Sequence, residues 1–356
     1  MSCISCDRRP SSATQTVRLP VKLIAVIKPV TQLPPNRTVH VAVDPPNNVY
    51  YTIETTEGQD GVVVAGDNGI PRATQLTTGN ILAAMGETVG GTGNIQDLVA
   101  GPDGILWFYF EGGKGRRVRA CIGQYTPRTE SISIIFDTQA LRDLSGMGAS
   151  LELARGELIP SGQRMFLLLR HSDAWSIFRF ENQRRRLGAQ FSLTVPYTKV
   201  WADDESLNLT DPRYELSPGI GENLLLVDRQ SGTMWQVDDA GRATVRMLLT
   251  GLPSELSRPL VIKDDHLILF ASDSEPLEAE TGIIPNRRLP QTTYPALLEI
   301  EGEKITSIGR DDLRVSGEIP AYALRIKELI PAPDETWVAY DLASGQLLRI
   351  KRVEAD

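Results

Sequence analysis

Residues 99–110 read VAGPDGILWFYF. A short apolar segment enters Pro102-Asp103-Gly104, and a run of large apolar and aromatic residues leaves it. Proline presets one turn dihedral, aspartate bonds its own backbone, and glycine supplies a left-handed conformation, so the tripeptide reads as a tight turn. The flanking runs then read as the two buried strands of a hairpin.

The pattern recurs. VAVDPPNNVYYT spans 41–52, LIPSGQRMFLLL 158–169, LSPGIGENLLLV 216–227, LVIKDDHLILFA 260–271 and LIPAPDETWVAY 329–340. The turn residues Pro45, Pro102, Pro160 and Pro218 are 57, 58 and 58 residues apart, the fifth turn near Asp264 comes early, and the sixth, at Pro333, comes late. A fixed period of this length marks a repeat architecture. Further apolar segments follow each hairpin, with tight polar turns such as Asp67-Asn68-Gly69 and Asp239-Ala240-Gly241. Each unit thus offers four short antiparallel strands, a to d. Six such units around an axis make an all-β, six-bladed β-propeller. Residues 138–153 are the one place where a short helix is expected.

The last unit has strands a (325–330), b (336–340) and c (346–353), and then the chain ends. The segment TVRLPVKLIAVI, residues 16–27, precedes the first unit. It is expected to serve as the outer strand of the last blade, which removes two open sheet edges; Pro20 suits such an edge. A single propeller domain over 16–356 follows a polar, disordered tail over 1–15.

Pro102-Asp103-Gly104-Ile105-Leu106-Trp107-Phe108 resembles the blade phrase of six-bladed propellers of the NHL-repeat, streptogramin-lyase and SMP-30/gluconolactonase type, and Pro333-Asp334-Glu335-Thr336-Trp337 matches it in part. The phrase is structural and carries fold, with almost nothing about chemistry.

Every a–b and c–d turn is short. The long connections (77–94, 138–153, 194–214, 274–294 and 311–323) all belong to the opposite face, where loops on a rigid scaffold carry function. The a strands begin on that face with polar residues: His40, Gln96 and Asp97, Arg155 and Glu157, Arg213 and Glu215, Arg258, and Lys327 and Glu328. With His171, expected on the same face, these form a candidate ligand-binding ring at the channel mouth. The other outcome for such a ring is a set of mutual ion pairs that plugs the channel. The resemblance to lactonases that hold a divalent cation implies Asp97, Glu157, Glu215 and Glu328 as hard oxygen ligands for calcium, magnesium or zinc. The resemblance to streptogramin lyases implies His40 or His171 as a catalytic histidine.

The chain carries no HExxH, GxSxG, phosphate-loop or EF-hand motif. Its three histidines, His40, His171 and His266, are expected on different faces and make no metal cluster. A net charge of −8 disfavours nucleic acid; Arg184, Arg185 and Arg186 read as a solvated turn. No run of residues is long and apolar enough to form a transmembrane helix. Cys121 reads as packing. Cys3-Ile4-Ser5-Cys6 loosely resembles the end of a lipoprotein signal, so the chain as written reads as cytoplasmic, and as periplasmic or lipid-anchored if translation starts upstream. The expectation for function is a monomeric, non-catalytic binding or scaffold module for a protein or small polar ligand. The alternative is a metal-dependent lactonase or lyase.

Overall fold

The computed structural model describes residues 22–31, 41–44, 49–57, 59–66, 70–87, 90–101, 103–114, 117–137, 155–170, 175–181, 186–192, 214–219, 221, 223–229, 232–238, 241–250, 255–263, 266–272, 286–288, 292–302, 304–316, 319–332 and 334–354. The opening phrase forms the hairpin expected of it. Gly101 N–H donates to the Ile105 carbonyl (2.8 Å) and Gly104 N–H to the Gly101 carbonyl (3.1 Å), while Gly104 sits at φ 74°. The following strand is heavy because it is buried on both sides: Leu106, Trp107, Phe108, Tyr109 and Phe110 are each at most 1% exposed. Successive strand residues point to opposite faces. Leu106, Phe108 and Phe110 therefore enter a core with Tyr51, Ile53 and Val62 of the preceding unit, and Trp107 and Tyr109 enter another with Leu158, Met165 and Phe178 of the next.

Six sheets follow one plan. The first is β2 (Val41–Asp44), β3 (Val49–Thr56), β4 (Gln59–Gly66) and β5 (Arg72–Thr77). The second is β6 (Thr92–Ala100), β7 (Leu106–Lys114), β8 (Arg117–Thr126) and β9 (Ser131–Asp137). The third is β10 (Arg155–Ser161), β11 (Arg164–Arg170), β12 (Trp175–Glu181) and β13 (Arg186–Ser192). The fourth holds β14 (Tyr214–Pro218), β15 (Leu224–Asp228), β16 (Thr233–Val237) and β17 (Ala243–Thr250). The fifth is β18 (Leu260–Lys263), β19 (His266–Ala271), β21 (Ala296–Glu301) and β22 (Lys304–Ile308). The sixth runs β24 (Ile326–Ala332), β25 (Thr336–Asp341), β26 (Gln346–Glu354) and then β1 (Leu23–Thr31). The inner strands β2, β6, β10, β14, β18 and β24 contact one another in turn, and β24 meets β2. The protein is a six-bladed β-propeller.

Closure is the one expected, with shifted bounds. Strand β1 pairs antiparallel with β26 from Leu23↔Glu354 to Lys28↔Arg349. Its start lies seven residues later than the apolar pattern suggested, and Pro20 and the 1–15 tail lie outside the described residues.

Two features depart from the sequence reading. Blades four and six each carry a fifth, parallel strand. The long connection within blade five supplies β20 (Asn286–Arg288), which pairs with Leu248–Thr250 of β17. The crossing into blade six supplies β23 (Leu313–Val315), which pairs with Ala25–Ile27 of β1. Three-residue strands have no period to read, so a sequence pattern does not show them. The described helix, α1 (Thr78–Ala84), lies in the crossing from blade one to two; the 138–153 helix expectation lies outside the described residues. The Thr77 hydroxyl accepts from Asn80 N–H at 3.3 Å and caps α1, and Ile81 and Leu82 fill the core between the two blades.

Candidate functional site

Four inner strands bring charge to the axis because each places its charged residue near its start. Glu157 is third in β10, Glu215 second in β14 and Glu328 third in β24. Arg258 lies just before β18, where it forms a parallel bridge with Glu328, its N–H donating to the Lys327 carbonyl at 2.7 Å. These positions share a level on the axis, so their side chains meet.

Arg258 is the hub. Its guanidinium pairs with Glu157, reaches Glu215 Oε1 from Nε at 2.6 Å, and lies 3.7 Å from Glu328 Oε2. The other oxygen of Glu215 takes Arg229 at 3.1 Å. A planar guanidinium with five donors suits several carboxylates at once. Asp97 is used differently. It is 5% exposed, its Oδ1 accepts from Leu98 N–H (2.8 Å), and its Oδ2 accepts from Leu158 N–H of the next blade (2.6 Å). Asp97 thus joins blade two to blade three. Asp60 does the same one blade earlier, accepting from Ile95 N–H at 2.8 Å.

Lys327 completes the described axial charges. Burial, reinforced by the neighbouring Arg258 charge, holds its ammonium below the ordinary lysine value, against the pull of Glu328, Glu215 and Asp97. Beside the axis, Tyr109 lies flat on Gly156, where an added Cβ would stand 2.2 Å from the ring. Its hydroxyl donates to Glu111 Oε1 at 3.2 Å, and burial raises the Glu111 carboxyl above its ordinary value. On the opposite face His266 pairs with Glu299 at 2.7 Å, and Arg352 takes the other Glu299 oxygen.

The structure brings Glu157, Glu215, Arg258 and Glu328 into one cluster and leaves Asp97 in a backbone-binding role. His40, His171 and Arg213 lie outside the described residues, and of Arg155 only the backbone is described. Among the described residues, no three His, Cys, Asp or Glu side chains group to hold a metal ion. The acidic quartet does not fit a cation cage as it stands, because Arg258 occupies three of its carboxylates and backbone N–H groups occupy the fourth. Arg229 was missed by the sequence reading. It sits in a tight turn after β15, where an arginine reads as solvated. Cys121 is buried in the core, and burial pushes its thiol up to about 12.

No protein-family model matches the chain. No curated protein matches it either. Among solved structures, a protein of unknown function from Bacteroides thetaiotaomicron superposes with a TM-score of 0.52 and 8% identity over 93% of this chain and 77% of that one. Virginiamycin B lyase from Staphylococcus aureus gives 0.43 and 12%, over 93% and 99%. Regucalcin, a calcium-binding protein from Agrobacterium tumefaciens, gives 0.45 and 12%, over 93% and 97%. All three likenesses are of the propeller fold alone.

Proposed function

We propose that this chain is a non-catalytic binding or scaffold module that takes a protein partner or a small polar ligand on its loop-rich face. The observation that carries the reading is the use made of the axial carboxylates. Glu157, Glu215 and Glu328 are drawn onto the Arg258 guanidinium, and Asp97 onto two backbone N–H groups. A carboxylate that coordinates a hard cation needs its lone pairs free, and these are spent on holding blades together. The axis is then an internally paired pin, and recognition falls to the long connections around it. Long connections of varied sequence on a stiff frame suit binding.

The test is the divalent metal content of purified, dialysed protein by elemental mass spectrometry, followed by calorimetry with added calcium. The expected result is far less than one ion per chain and no calcium uptake. About one calcium, magnesium or zinc per chain would overturn the reading in favour of a metal-dependent lactonase or lyase at the channel mouth.

A further inference from the structure

Blades five and six part between their outer strands on the short-turn face. They leave a cleft of about 330 Å³, with β21 and β22 on one wall and β26 and β1 on the other. A cleft of that size suits a small ligand.

Its floor is held in place across the two blades. The Glu299 side chain is 18% exposed and stands 2.7 Å from His266 Nε2, whose side chain is 16% exposed. The other Glu299 oxygen takes Arg352 of blade six. This pairing fixes the guanidinium before any ligand arrives. A guanidinium has five N–H donors, more than one carboxylate oxygen can use. The rest of the fork is left to the cleft, which the Thr306 hydroxyl also lines. A fixed arginine fork matches a planar carboxylate.

The rim carries unlike charges that do not meet. Lys304 of blade five and Glu354 of blade six both line the cleft and are exposed. Among the described residues neither makes a hydrogen bond or an ion pair. Glu301, next to them, is already bridged to Lys263 at 3.1 Å. Leu23, which stands opposite Glu354 in the β1–β26 register, adds apolar surface. The charges around the cleft balance: Glu299, Glu301 and Glu354 face Arg352, Lys304 and Lys263. A balanced cleft favours neither a simple anion nor a simple cation. It complements a ligand that carries both signs at once.

We propose that this cleft binds a free α-amino acid with an apolar side chain. The Arg352 fork, with Thr306 and Lys304, takes the carboxylate. Glu354 takes the ammonium, and the side chain lies against Leu23. The site is on the face opposite the loop-rich one and stands independently of the reading given for that face.

The test is calorimetry of the full chain with free leucine as the probe. N-acetyl-leucine and leucine amide, each lacking one of the two charges, are titrated beside it. The expected result is one leucine per chain, with both derivatives at least about tenfold weaker. Glu354→Gln should weaken leucine at least about tenfold and leave the melting temperature unchanged, because Glu354 is exposed. Arg352→Gln should weaken it at least as much; if that variant does not fold, Lys304→Met tests the carboxylate end instead. No saturable binding of leucine at millimolar concentration overturns the proposal. So does equal binding of leucine and either derivative, or an affinity that Glu354→Gln leaves unchanged.

Discussion

Replacing Arg258 by methionine tests the axial pin directly. Its side chain is 13% exposed, and those of Glu157, Glu215 and Glu328 are 18%, 11% and 25% exposed, so the cluster is largely withdrawn from water. Removing one partner from a buried ionic set costs ~3–5 kcal/mol, because the remaining charges are left desolvated and uncompensated. The partial exposure of Glu328 and the help Arg229 gives Glu215 place the expected loss at the lower end, about 3 kcal/mol. With an unfolding entropy of about 2.1 cal/mol/K per residue over 356 residues, that is a fall in Tm of about 4 °C. The assay is urea unfolding followed by tryptophan fluorescence, with calorimetry for Tm. A second variant carrying Arg258→Met with glutamine at 157, 215 and 328 removes the carboxylates left uncompensated and should recover part of the loss, the rest being the partners taken from Arg229 and Lys327. A loss below about 0.5 kcal/mol for Arg258→Met alone, the range of solvent-exposed pairs, would refute the desolvated pin.

Asp97→Ala strands two buried N–H donors, Leu98 and Leu158, and should cost about 3 kcal/mol in urea unfolding, with Asp97→Asn costing less because it keeps one acceptor. An Ala variant as stable as the wild type would remove Asp97 from its joining role. Glu335 holds a left-handed φ of 53° where the matching turn of blade two has Gly104. Glu335→Gly should therefore raise the unfolding free energy measured in urea by about 0.5 kcal/mol, net of glycine's greater freedom when unfolded. For Glu111 the folded-state pKa is raised by burial, so the native chain holds that proton more tightly than the unfolded chain. The stability it contributes is complete below its ordinary value and is lost as pH rises through the folded value. Glu111→Gln should then melt higher than the wild type at neutral pH and lose that advantage in acid; an advantage that grows on acidification would reverse the assignment.

The blades were legible because their strands bury both faces and end in turns of restricted chemistry. VAGPDGILWFYF shows a turn that only certain residues make and a strand too apolar to meet water. The missing fourth strand of the last unit pointed to β1 for the same reason, since an open ring leaves two bare edges. The charged starts of the inner strands were legible too, because an axial position calls for small or apolar residues and these are neither. Their bounds were less so: β1 begins at Leu23, since neighbouring apolar and β-branched residues carry no mark of where pairing with β26 stops.

What the sequence by itself determined is local: the turn, the strand type, the period of about 58 residues and, from six repeats, the propeller. The tertiary structure decided who meets whom. It set one arginine among three glutamates of three other blades, turned Asp97 away from that cluster onto the next blade's backbone, and laid three-residue strands on two rims. These pairings join residues dozens to hundreds of positions apart. They depend on the closing angle of the ring and on side-chain reach, and neither leaves a periodic trace along the chain.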